Sequence, residues 1–168
     1  TKGHDIPGVT LVGVVFADQS LLFPDFRASE RTFQLLSQVA GRAGRGEKAG
    51  RVFFQTYKPD HPAIRLAALH DYESFYRNEV SERRELGYVP FGRLVCIRVD
   101  AGDEANARKA AALLAAVAEN STAGREGVVQ VLGPAPAPVA RVRSRFRFRI
   151  LLRSPDRVRL RQVAQLVV

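Results

Sequence analysis

The sequence predicts an α/β chain built as two small units joined by a helical connector, and three observations carry that prediction. A strand-like apolar run, Val9 to Phe16, is followed by apolar residues at helical spacing and then by a second run, Val52 to Thr56. Two proline-punctuated joints, Lys58-Pro59-Asp60-His61-Pro62 and Gly87-Tyr88-Val89-Pro90-Phe91-Gly92, fix φ and remove backbone donors. Beyond them, arginines alternate with apolar or small residues from Arg141 to Ile150. The predicted boundaries are 1–58, 59–90 and 91–168. A chain of 168 residues, 46% apolar and 26% charged, has enough material for one core or two small ones.

The residues justify each element in turn. Val9-Thr10-Leu11-Val12-Gly13-Val14-Val15-Phe16 is apolar on both alternating faces, the pattern of a strand covered on both sides in a parallel sheet. Phe33, Leu36, Val39, Ala40 and Ala43 predict a helix from about Ser29 until Gly41 or Gly44 loosens it. Val52-Phe53-Phe54-Gln55-Thr56 completes a strand–helix–strand unit. In the connector, Pro62 stands at a first helical position, with His61 at the helix start. Ile64, Ala68, Tyr72, Phe75, Tyr76 and Val80 then form a stripe that predicts one helix as far as Leu86, with His70 on its face.

After Pro90 the pattern predicts a strand at Leu94 to Val99, an alanine-rich helix at Asp103 to Glu119 and a second strand at Val128 to Leu132. The proline run Gly133 to Pro138 reads as an extended connection. Val139 to Val142 and Phe146 to Leu152 read as a hairpin, and Pro155 opens a last helix through Leu166. A split βαβ sandwich of this kind normally adds a closing strand after Val168.

Composition narrows the function classes. No apolar run is long enough to span a bilayer, and the single cysteine, Cys96, excludes an internal disulfide or a thiolate metal cluster within the chain. A reducing cytoplasm, with no membrane partner, is the expected location. The chain contains no methionine, so Thr1 is not expected to be a translation start, no secretory leader is read, and the sequence reads as a piece of a longer polypeptide. Net charge is +9, and it is unevenly spread: residues 1–89 hold 12 basic and 11 acidic side chains, residues 90–168 hold 14 and 6. Residues 141–161 alone hold nine arginines against Asp156, which calls for a polyanion or for solvent. In a single strand, Arg141, Arg143, Arg145, Arg147 and Arg149 would all face one way, opposite Phe146, Phe148 and Ile150. If about four of them touched phosphates of single-stranded DNA, log affinity would fall against log salt with a slope near −3.

Gln38-Val39-Ala40-Gly41-Arg42-Ala43-Gly44-Arg45 is the segment richest in chemistry, matching the Q-x-x-G-R-x-G-R pattern of superfamily 2 helicases. Positions 38, 42 and 45 recur at i, i+4 and i+7, so a helix running into a tight turn aims Gln38, Arg42 and Arg45 the same way. Gly41 and Gly44 allow close backbone approach, and a guanidinium fork suits phosphate oxygens. Elsewhere, His4 and Asp5 are adjacent and have no third ligand nearby, so no metal site is read.

Further segments carry a more specific likeness. Thr1-Lys2-Gly3-His4-Asp5-Ile6-Pro7-Gly8-Val9-Thr10-Leu11-Val12, Asp25-Phe26-Arg27-Ala28-Ser29-Glu30-Arg31, Gln55 to Pro62, Glu82-Arg83-Arg84 with Pro90-Phe91, and Val131 to Ala137 run in order along nearly the whole chain. Together they resemble the carboxy-terminal part of PriA-type primosomal DNA helicases. The resemblance implies an α/β fold in which residues 1–58 are the end of a RecA-like second motor lobe with motifs V and VI, followed by the connector and an α+β ribosomal-protein S10-like domain. It implies that Gly3 and Asp5, with Gly41 and Gly44, couple nucleotide to DNA, that Arg42 and Arg45 serve as arginine fingers beside Gln38, and that Lys2 and the arginines of residues 141–149 meet DNA.

Arg157, with Arg161 where the family has a glutamine, is implied in holding the acidic tail of single-stranded DNA-binding protein. ATP and Mg²⁺ would sit mainly on an absent first lobe, and zinc on upstream cysteines. DNA forks, single-stranded DNA and other primosome proteins are the implied partners, in a nucleoid-associated setting. Without a Walker A lysine or an acidic Walker B motif, the chain alone is predicted not to hydrolyse ATP. A stand-alone basic nucleic-acid-binding module is the competing reading.

Overall fold

The computed structural model describes residues 9–43 and 50–168. Its architecture is mixed α/β, as predicted, and it divides into two compact units, one up to Ser81 and one from Glu82.

In the first unit, strands β1 (Leu11–Val14) and β2 (Arg51–Phe54) pair in parallel, with Leu11 opposite Arg51 and Val14 opposite Phe54. Helix α1 (Ala28–Ala40) crosses between them. Asp25 prepares its start, because its carboxylate accepts from the backbone N–H of Arg27 at 3.0 Å and pairs with the Arg31 guanidinium at 2.8 Å. Phe33, Leu36 and Ala40 recur at helical spacing and are all buried. Phe33 and Leu36 join Ala17, Ile64, Leu66 and Phe75 in one core, in which the Phe33 and Phe75 rings stack 4.1 Å apart.

Burial on both faces, predicted for the first strand, is not observed. Val14 and Phe54 meet the core, whereas Leu11, Val15 and Phe53 on the opposite face stay 62%, 66% and 60% exposed. Among the described residues the helices pack on one side of this pair of strands only, and the alternation of side chains then leaves the other side bare.

The single connector helix is also corrected. Helix α2 (Pro62–Ala68) ends and α3 (Tyr72–Glu85) begins anew. The start of α2 is as predicted, with Pro62 in the first turn and the His61 ring nitrogen Nδ1 accepting from Ala63 N–H at 3.2 Å. At its end His70 takes φ +54, its N–H bonds to Ala67 C=O, and Asp71 N–H reaches back to Leu66 C=O at 2.9 Å. Those two bonds define a Schellman stop with histidine in the left-handed position that glycine usually fills. His70 therefore lies at a helix terminus, not on a helix face. Asp71 next starts α3, accepting from Ser74 N–H at 3.0 Å. Hydrogen bonds from Ser74 hold its carboxyl below the usual aspartate range. The end of α3 repeats the device with Gly87 at φ +62 and Tyr88 N–H on Arg83 C=O at 2.8 Å.

The second unit is a three-stranded antiparallel sheet in the order β3-β5-β4, where β3 is Arg93–Ala101, β4 Gln130–Val142 and β5 Arg145–Ser154. Helices α4 (Glu104–Asn120) and α6 (Arg157–Leu166), with the short α5 (Thr122–Arg125), pack on one face. Asp103 and Asp156 cap α4 and α6 through their carboxylates. Pro155 therefore precedes the cap of α6, where a first-turn position was predicted. Ala107, Ala111, Ala115 and Ala118 line the buried side of α4, small enough to let it lie close against Ile97, Phe148, Ile150 and Leu152.

Two predicted pieces, the strand at Val128 to Leu132 and the strand at Val139 to Val142, are one strand, β4, and the proline run lies inside it. Prolines are tolerated there because β4 is an edge strand with register shifts after Leu132 and Pro136. At the first shift Gly133 has φ +106, and a Cβ on it would meet Arg149 C=O at 2.9 Å. Between β4 and β5 the chain reverses through Arg143 and Ser144, both at positive φ, a two-residue turn of the type that matches strand twist.

His70→Val should lower stability by about 1–2 kcal/mol, because a β-branched residue resists the left-handed conformation, while His70→Gly should not. Chemical denaturation of the two variants checks this. The Asp71 cap has a depressed folded-state pKa, so its contribution is present above the unfolded aspartate value and disappears as pH falls through the folded one. Asp71→Asn should flatten the acid limb of the stability profile.

Candidate functional site

The predicted motif falls at the end of α1. The helix stops at Ala40, Gly41 N–H bonds to Ser37 C=O, and Arg42 and Ala43 continue as a tight turn through bonds to Val39 and Ala40 carbonyls. Gln38 is exposed and Arg42 half-buried at this terminus. Gly44 and Arg45, like Lys2, Gly3 and Asp5, lie outside the described residues. Beside the terminus is a cavity of about 600 Å³, bordered by Ala40, Ala43, Val52, Phe54 and Ile64, with Arg65 and His70 among its polar residues. The described lining contains no carboxylate, so it offers no acid/base pair on its own.

The arginine cluster of the second unit is built differently from its prediction. The two-residue turn after Val142 pairs odd positions of β4 with even positions of β5, so Arg141 stands opposite Phe146 and Val142 opposite Arg145. Arg141 consequently lies on the helix side of the sheet, its guanidinium 5.0 Å from the centre of the Phe146 ring. Arg143 sits in the turn itself. One continuous row of five arginines is thus corrected: only Arg145, Arg147 and Arg149 share a face, the one that α4 and α6 leave open.

Strand pairing adds members that the alternation did not reveal. Arg98 on β3 stands directly opposite Arg149, Asp100 opposite Arg147, and Arg153 lies further along β5 opposite Leu94 and Gln130. Asp100 is engaged: its carboxylate accepts from Arg145 Nε at 2.6 Å, and its carbonyl accepts from Arg145 Nη2 at 2.8 Å. The Arg145 hydrogen bond holds the Asp100 carboxyl below the usual range. Arg153 is also engaged, bridging the Gln130 side-chain oxygen and the Leu86 carbonyl with its guanidinium 5.4 Å from the centre of the Tyr88 ring. Arg147 is half-buried, and its Nε is buried with no hydrogen-bond partner.

Arg157 and Arg161 are both exposed, one helical turn apart on α6. Arg159 between them is tied to Glu126. The signal that could have revealed Arg98 is the period-two order Leu94, Cys96, Arg98, Asp100, but only the register places it beside Arg149. No helix among the described residues is long and apolar enough to cross a membrane.

Residues 84–167 match the family model described as the primosomal protein N C-terminal domain. The chain is 48% identical over 134 residues to the replication restart protein PriA of Bacillus subtilis, covering 80% of this chain and 16% of that protein. It is 41% identical over 160 residues to its namesake in Synechocystis, covering 95% and 19% respectively. With the Treponema pallidum protein of that name it shares 43% identity over 164 residues, covering 98% of this chain and 24% of the relative. The chain thus spans about a quarter or less of the length of these relatives. A family-model match across the second unit, joined to high identity that extends into the first, means that the chain belongs to the PriA family and contains its C-terminal domain.

Proposed function

We propose that this chain is the carboxy-terminal part of an ATP-dependent replication-restart DNA helicase. The observation that carries the reading is the position of the described part of the motif, Gln38 to Ala43: it spans the end of a crossover helix between two parallel strands, in a chain 41% and 43% identical to two PriA proteins over 160 and 164 residues. A helix terminus in such a unit suits the second lobe of a RecA-like motor. There Arg42 and Arg45 stabilise the charge that spreads over the γ-phosphoryl oxygens of ATP, with Gln38 beside them, and Gly3 and Asp5 couple nucleotide to DNA. ATP and Mg²⁺ belong mainly to the first lobe and zinc to upstream cysteines, so the chain alone does not turn over ATP.

The second unit, of S10-like type, supplies the DNA contact through its open arginine face, together with Lys2 from the first. Arg157 and Arg161 offer two exposed guanidiniums one turn apart to the acidic tail of single-stranded DNA-binding protein. The setting is the cytoplasm, among other primosome proteins at forks.

In a protein restored to the length of its relatives, Arg45→Ala should lower DNA-stimulated ATP turnover by roughly 10³- to 10⁵-fold and leave DNA binding intact. Unchanged turnover would remove the motor reading and leave the competing one, a basic nucleic-acid-binding module. On the open face, Asp100→Asn releases Arg145 and removes one negative charge. The variant should bind DNA more tightly, with a salt slope steeper by about 0.9 as measured by anisotropy across a salt series.

A further inference from the structure

Resting on the reading that the first unit belongs to a motor moving on DNA, we infer that Phe16 and Tyr57 form a platform on which unpaired bases of a single strand stack. Both residues lie just past the last register partners of their strands, Val14 and Phe54, at the carboxyl ends of β1 and β2. In open α/β sheets that end is where ligands bind. The two rings are 6.2 Å apart with their planes tilted by 38°, and they are 52% and 80% exposed. Neither joins the core of the unit.

Phe16 holds φ at +53. For a bulky side chain the left-handed region is strained, because the Cβ crowds the following carbonyl oxygen. Stability alone would favour glycine or asparagine here, and the phenylalanine ring gains little burial in return. Strain that packing does not repay is characteristic of ligand clamps. The backbone around the ring enforces the conformation. Ala17 N–H bonds to Gln55 C=O at 2.9 Å, and Gln19 N–H turns back to Phe16 C=O at 3.0 Å. Asp18, which is 5% exposed, then accepts from Tyr57 N–H at 3.2 Å. One buried carboxylate thus ties the segment that presents the first ring to the backbone that presents the second.

Charge is not what this rim offers. Lys58 and Asp60, both exposed beside Tyr57, offset each other. Ring surface suits bases of any sequence, and each stacked base strengthens binding roughly 5- to 150-fold. Such a contact neutralises no phosphate, so it leaves the salt slope alone, unlike the arginine face of the second unit.

The test uses the protein restored to the length of its relatives. Anisotropy is measured with a labelled oligothymidylate of about 20 nucleotides and with an abasic strand of the same length. The oligothymidylate should bind more tightly. Tyr57→Ala and Phe16→Gly should each weaken its binding roughly 5- to 150-fold and raise by the same factor the oligothymidylate concentration that half-saturates ATP turnover. Affinity for the abasic strand and the salt slope should not change. Phe16→Gly should unfold at no lower temperature than the parent, since glycine relieves the strained φ. Equal weakening toward both strands, or a lower unfolding temperature for Phe16→Gly, would overturn the platform and make the rings structural. Unchanged oligothymidylate binding would also overturn it and assign the rim to a protein neighbour, while the motor reading stands as long as Arg45→Ala abolishes turnover. Turnover indifferent to Arg45→Ala would remove the motor reading, and the platform with it.

Discussion

The register of β5 between β3 and β4 is the constraint on which the second unit depends. Its even positions, Phe148, Ile150 and Leu152, are buried against α4 and α6, and its odd positions, arginine except at Leu151, lie on the other face. Slipping the strand by one residue would drive guanidiniums into the core and phenylalanines into water. The penalties are unequal. Each buried apolar side chain of this size contributes about 1.5–3 kcal/mol, whereas a like-charge pair such as Arg98 with Arg149 costs a few tenths to about 1 kcal/mol. The apolar side fixes the register, and the cationic side can be repulsive because it does not have to stabilise the fold.

How the charged face is assembled follows from that register and from the turn before β5. A reversal of two residues inverts parity, which sends Arg141 to the side of Phe146 and keeps Arg145 opposite Val142. Pairing with β3 then adds Arg98 to the face but also Asp100, which is committed to Arg145. At the far end Arg153 is committed to Gln130 and to the Leu86 carbonyl. The face thus carries arginines along its whole length, with Arg145 and Arg153 at its ends held by Asp100 and by Gln130 and the Leu86 carbonyl.

Much of this was legible in the residues, and the parts that were not have physical causes. The helix ending near Gly41 followed from Phe33, Leu36 and Ala40 because a spacing of three or four residues is a property of the sequence itself. The break at His70 left no such mark: histidine is not a residue that announces a left-handed turn, and the stop is made by backbone bonds from His70 and Asp71. Gly133 to Pro138 read as a connection because proline lacks a donor, yet at a sheet edge that donor is not needed. The arginine alternation was visible, but its division between two faces depended on where the turn fell. Arg98 depended on long-range pairing, which no local pattern encodes.

At the other end of the chain, positioning is again a matter of packing behind a charged group. A guanidinium beside a reacting phosphoryl group is worth about 4–7 kcal/mol, and only when it is held in place. Arg42 follows α1 by one residue past Gly41, and α1 is anchored within its last three turns by Leu36, which is fully buried, and by Phe33 stacked on Phe75. Gly41 is exposed and bonds through its N–H to Ser37, so the backbone leaves the helix without lengthening it. A buried, anchored helix followed by a turn at Gly41 sets from behind the direction in which Arg42 leaves the helix. On the proposed motor reading, a terminus with no carboxylate in the described lining of its neighbouring cavity would contribute positive charge, with proton transfer left to other groups.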